Sequence, residues 1–253
     1  MPLAAGTLAA EAHRTAARAP ILGGMCGRYT NTKGPEELNE RLGMPISSPA
    51  GTSRFNIAPT EEVLAVVERD GELQARMLRW GLLPPWSKDL KGAARMINAR
   101  IESVTQKPSF RELVPKASHR ALQIADGYFE WIKPERRGEP RQPFFFQVDG
   151  GEPFAFASLW TSARIDGELI HSVTLLTCDS SPNRTVAAIH DRMPVILADD
   201  EARRAWLDPS LGAGEALELC SALAAERVSA RPANPAVNKV SSVEGPKLLL
   251  APV

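Results

Sequence analysis

Apolar and polar positions along this chain alternate more often than they recur at helical spacing, and the pattern predicts a β-rich protein. In "EVLAVVERDGELQARML" two apolar, β-branched runs flank Asp70-Gly71, a pair that tolerates positive φ and closes a tight hairpin. "RALQIADGYFEW" reads as one further strand. "PFFFQVDGGEPFAFASLW" and "ARIDGELIHSVTLLT" repeat the scheme around Asp149-Gly150-Gly151 and Asp166-Gly167, and "MPVILA" adds another strand. Helical punctuation appears in "TKGPEELNERLGM", with Pro35 and acids early and Gly43 as a stop. Late in the chain, "DDEARRAWL" and "GEALELCSALAAERV" space their apolar residues three and four apart, as helices do. "PISSPAGTSRFNIAPTEE", with three prolines, reads as a loop, and the tail "AVNKVSSVEGPKLLLAPV" as extended chain. No long flexible linker divides the middle. The expectation is an α+β fold: one β-rich domain with flanking helices over 26–253, preceded by a separate leader over 1–25.

The leader is alanine-rich, and its charges interrupt any continuous apolar core of a secretory signal. It is expected to be disordered and either removed or placed ahead of the true start, Met25. That start changes the chemistry of "GGMCGRYT". Once Met25 is lost, Cys26 carries a free α-amine beside its thiol, a pair that no internal cysteine offers.

Composition narrows the partners. The 30 basic and 30 acidic residues cancel, so an anionic partner has to be met by a local patch. No apolar run approaches the ~20 residues of a membrane span, and a cytoplasmic protein without membrane partners is expected. Three cysteines without metal-ligand spacing read as reduced thiols, with Cys178 and Cys220 as core residues. The histidines at 13, 119, 171 and 190 form no ligand motif, so neither metal nor cofactor is expected.

The local patch lies in "RMLRWGLLPPWSKDLKGAARMINAR", which sets six basic side chains against the single acid Asp89 and includes Trp80 and Trp86. Cations that follow phosphates and indoles that stack on bases suit a single nucleic-acid strand; two core tryptophans under a solvated loop is the alternative. "INAR" puts Asn98 and Arg100 on one side of a strand, an orienting amide beside a phosphate fork. In "ADGYFEW", Glu130 stands between two large aromatics that would desolvate it and raise its pKa, or it faces outward on a strand. "IHDRMP" offers His190, a proton carrier near neutrality, and Arg192 on the same face if extended.

The order of "MCGRYT", "RFNIAP", "RWGLLPPW", "INARIES", "ADGYFEW", "IHDRMPVIL" and "VNKV…EGPKLL" resembles the SRAP family, the SOS-response-associated peptidase-like proteins that process abasic sites. The resemblance covers roughly 26–253. It implies that Cys26, Asn98, Glu130 and His190 are catalytic, and that Arg28, Asn56, Trp80, Trp86, Arg100 and Arg192 contact DNA. It further implies capture of abasic sites in single-stranded DNA as a thiazolidine crosslink; a monomer, associated with the nucleoid when bound to DNA, is expected. A lyase side reaction and self-cleavage that exposes Cys26 belong to the same expectation. Departures are small: "NARIES" stands where "NARAET" is common, and Gln123 where a proline is frequent. Two other readings remain open on the residues, a cysteine or N-terminal-nucleophile peptidase acting on peptides, and a nucleic-acid-binding module without chemistry.

Overall fold

The structure, a computed structural model, describes residues 26–46, 53–132, 141–240 and 245–251. The leader, with Met25, lies outside the described residues. The elements run β1 (Arg28–Asn31), α1 (Pro35–Leu42), β2 (Arg54–Ile57), β3 (Glu62–Arg69), β4 (Glu72–Trp80), β5 (Asn98–Arg100), β6 (Arg120–Ala125), β7 (Gly127–Trp131), β8 (Pro143–Val148), β9 (Phe154–Ile165), β10 (Glu168–Asp179), α2 (Arg184–Ala187), β11 (Arg192–Pro194), β12 (Ile196–Leu197), α3 (Asp200–Leu207), α4 (Ala213–Glu218) and β13 (Val228–Pro232).

Five strands close on themselves. β3 pairs with β4 through the Asp70-Gly71 hairpin, and β4 meets β10 in parallel at Ser172 and Val173. β10 returns along β9 through the Asp166-Gly167 hairpin, β9 pairs with β6, and β6 pairs back onto β3. Around this circuit the register keeps Ala65, Leu78, Trp80, Gln123, Phe156, Trp160 and Val173 on one face. The opposite parity carries Arg120, whose guanidinium lies 5.6 Å from the Trp206 ring of α3. A helix can pack only on the outside of so small a barrel, so the Trp80 face is the interior. β5, β11 and β12 extend the barrel's rim.

The second sheet, ordered β13-β8-β7-β1-β2, is antiparallel throughout. Its Tyr29 meets Trp80 and Phe156 edge-on, with ring centroids 5.2 and 5.7 Å apart, so this sheet packs against one end of the barrel. Both layers share one large core of buried apolar residues.

The β-rich α+β expectation holds, with local corrections. "RFNI" is a strand rather than loop, because pairing with β1 overrides the surrounding prolines. "RALQIADGYFEW" is two strands: the chain breaks at Asp126, β6 staying in the barrel and β7 entering the second sheet. The segment Asp149–Gly151 likewise joins β8 to β9 across the two sheets instead of closing a hairpin. Helix spacing in "GEALELCSALAAERV" yields only Ala213–Glu218, closed by a tight Cys220 N–H to Leu217 O bond, and Val228 already belongs to β13. The tail forms 3-10 turns at Pro235–Asn238 and Pro246–Leu249. Cys178 and Cys220 are buried, which pushes their thiols up to about 11 and about 12. Among the described residues no helix is long and apolar enough to cross a membrane.

Candidate active site

β1 is flanked by β7 and β2, and its register with β7 pairs Arg28 with Phe129 and Thr30 with Gly127. One further step along that ladder sets Gly27 abreast of Glu130. Cys26, just ahead of the strand, is fully buried and has φ of +35°, a left-handed conformation that costs a residue with a Cβ. Its backbone N–H donates to Glu130 Oε1 at 2.5 Å.

That contact defines the electrostatics. Burial pushes the Glu130 carboxyl up to about 8, against the N–H groups of Cys26 and Trp131 that stabilise its charge, and Asp191 adds to the rise. The Cys26 thiol is raised well above its ordinary value, first by burial and then by Glu130. The Tyr128 hydroxyl is buried on the same face of β7 as Glu130, and its pKa is raised by burial and by Cys26, Glu130 and Cys178.

Asp191 reaches Glu130 electrostatically from the segment that carries His190. Asn183 caps α2 by accepting from Val186 N–H at 3.0 Å, and the chain leaving α2 is tied by Ser180 Oγ donating to His190 O at 2.7 Å. His190 is not on β11; its Nδ1 lies 3.1 Å from the Arg192 N–H and 3.2 Å from Asp191 Oδ1. Asn98 and Arg100 do share a side of β5, which pairs with β10 through Leu175 and Thr177 while Ala99 is buried on the other side. β11 flanks the same end of β10, pairing Pro194 with Thr177.

The proposed DNA-contacting residues separate into distinct environments. Arg28 is buried; Nη1 donates to Gly27 O at 2.7 Å, while Nε and Nη2 meet no acceptor. Desolvation lowers its pKa and Glu61 opposes the change. Asn56 is buried and donates to Lys239 O at 3.1 Å, with Oδ1 left over. Trp86 is 61% exposed beside the Pro84–Ser87 turn. Trp80 is the correction: it lies inside the barrel, fully buried, with Nε1 donating to Ile97 O at 3.0 Å, and it has no face to offer a base. Arg192 is engaged by Glu102 through two bonds of 2.5 and 2.8 Å and also donates to Thr177 O, so a phosphate there has to compete with a carboxylate.

The sequence reading overlooked Asp126. Its carboxylate accepts from Thr30 Oγ1 at 2.5 Å and from both the backbone and hydroxyl of Thr32, and it thereby fixes β1 against the corner between β6 and β7. An acid followed by glycine inside an apolar run was the available signal. Glu102 and Asn238 were overlooked too; Asn238 accepts from Trp131 Nε1 at 2.7 Å and holds the tail to the residue after Glu130.

A family described as SOS response associated peptidase (SRAP) matches residues 25–240. The chain belongs to the SRAP family. An abasic site processing protein of Bacillus subtilis, YoaM, is 35% identical over 188 residues, covering 73% of this chain and 80% of the relative. The abasic site processing protein YedK of Escherichia coli is 30% identical over 232 residues, covering 89% of this chain and 99% of its own. A solved protein of Bacteroides thetaiotaomicron has a similar fold, with a TM-score of 0.76 at 22% identity, covering 90% of this chain and 100% of that one.

Proposed function

We propose that this SRAP protein captures abasic sites in single-stranded DNA as a covalent adduct on Cys26, exposed as the first residue of the working chain. The open sugar of an abasic site presents an aldehyde. The α-amine of Cys26 adds to that carbon, water leaves to give an imine, and the thiol sulfur adds to the same carbon. Its proton ends on the ring nitrogen of the resulting thiazolidine. An amine of pKa ~7.7–8.0 and a thiol of ~8.5 both need help to lose protons at neutral pH.

The observation that carries this reading is the Cys26 N–H to Glu130 Oε1 contact. In the chain described here that nitrogen is the amide of the Met25–Cys26 link; freed, it becomes the attacking amine. Glu130, with a pKa near neutrality, takes a proton from the amine and returns one to the departing hydroxyl. His190 assists sugar-ring opening, and Asn98 orients the amine or a nearby phosphate. Arg100 and Arg192 grip backbone phosphates, the latter in place of Glu102, and Trp86 stacks on a base. The same imine acidifies the adjacent sugar carbon, so a slower β-elimination of the 3′ phosphate accompanies capture.

The decisive experiment mixes the processed protein with abasic or intact single-stranded oligonucleotides on a denaturing gel. A band of retarded DNA is expected with abasic DNA alone, absent in Cys26→Ser and slowed about 10²-fold or more in Glu130→Gln with DNA affinity retained. Capture by a chain that keeps Met25 overturns the mechanism.

A second reading has its own support. The left-handed φ of Cys26 strains the residue that follows the Met25–Cys26 bond, as suits a chain that cleaves there and frees its own amine. Turnover of unrelated peptides without a gel band would make the protein a general peptidase.

A further inference from the structure

We propose that the barrel's other mouth, at the end away from Cys26, is a binding site for a phosphate-class oxyanion, built from Arg76, Trp160, Ser162 and His171. All four lie on the inward parity: Arg76 opposes Ala65, Trp160 opposes Val173, and Ser162 opposes His171. Phe156 touches Tyr29 at the Cys26 end, and Ser162 lies six residues further along β9, about 20 Å away at strand rise.

The donors here lack acceptors. The Trp160 side chain is 93% buried, since it is 7% exposed, and its Nε1 has no hydrogen-bond partner. Arg76 gives Nη2 to Gln74 Oε1 at 2.8 Å, but its buried Nε has none. A buried donor left unpaired is destabilising, and two at one mouth are what an oxyanion would satisfy. The Ser162–His171 pair adds one further donor. His171 Nδ1 bonds Ser162 Oγ at 2.6 Å, which leaves Nε2 for a ligand, and both His119 and His171 pack against the Trp160 ring with centroids 6.2 and 5.8 Å away.

Cations lie close to these donors. Burial, then the charges of Arg76 and Arg69, hold His171 below its ordinary value, and Lys116 acts likewise on the desolvated His119. The two hairpins of this rim also carry acids, Glu68, Asp70, Glu72, Asp166 and Glu168, beside Arg69 and Arg164, so the inward donors rather than the net charge of the rim would draw an anion. A tetrahedral oxyanion can accept at once from the guanidinium, the indole N–H and the one proton that the Ser162–His171 pair leaves free. Its source is either a DNA backbone phosphate of a strand that wraps the barrel or a small phosphate-bearing solute.

Titration of the full chain with inorganic phosphate, following the Trp160 indole N–H resonance identified by its loss in Trp160→Phe, tests the site. A saturable shift centred near about 1 mM is expected, weakened about tenfold or more in Arg76→Gln and in the milder Ser162→Ala. An intact single strand of about 16 nucleotides as second titrant names the source. Movement at lower phosphate-equivalent concentration assigns the mouth to the strand, and movement by inorganic phosphate alone assigns it to a solute. A Trp160 resonance that neither titrant moves, or that moves equally in the folded variants, overturns the proposal.

Discussion

At the scale of single residues, the two tryptophans of the basic segment show how far chemistry depends on burial. Both sit among cations in the sequence, and nothing in their spacing tells them apart. The fold separates them completely, Trp80 inside the barrel and Trp86 61% exposed. Trp86→Ala is therefore expected to weaken single-strand binding by about 1–3 kcal/mol while leaving the melting temperature unchanged. Trp80→Ala should instead cost about 3–5 kcal/mol of stability, read by denaturant unfolding. The reverse pattern would move the nucleic-acid face elsewhere. Glu130 was legible only as a choice between burial and an outward face; the structure buries it, while Phe129 and Trp131 point to the other side of β7. Arg192 was legible as a cation but not as a paired one, because Glu102 comes from 90 residues away and proximity in space leaves no local trace.

At the scale of elements, short-range signals were readable and long-range pairing was not. Asp70-Gly71 and Asp166-Gly167 specify hairpins through positive φ, and both formed. Asp149-Gly150-Gly151 has the same local chemistry yet connects different sheets, since which strands pair is decided by the core rather than by the turn. The corner after Asp126 has a steric requirement of its own. A Cβ on Gly127 would come within 2.3 Å of Phe145 Cζ and 3.0 Å of Phe146 O. Gly127→Ala is expected to destabilise the fold by about 1–3 kcal/mol and, by displacing β7, to slow adduct formation. A thermal melt beside the denaturing-gel assay checks both effects, and an unperturbed variant would show that the β7–β8 packing yields freely.

At the scale of the whole molecule, the buried acid makes stability a function of pH. Glu130 titrates near 8 in the folded chain and near the ordinary ~4.3 unfolded, so between these values the folded state holds the extra proton. Stability from this group is therefore greatest below about pH 4.3 and declines as pH rises toward about 8. Glu130→Gln should flatten that slope between pH 5 and 8 in melting experiments, once other groups are held common to both proteins. A slope identical in the two proteins would mean that Glu130 is charged in the fold.

The position of β1 has a consequence for how substrate and protein meet. Cys26 lies two residues ahead of a strand stitched to neighbours on both edges, so the segment that carries it can travel far only if a sheet comes apart. On the proposed reaction, any conformational adjustment on encounter falls to the nucleic acid, whose sugar would swing outward and bow its backbone toward a stationary anvil.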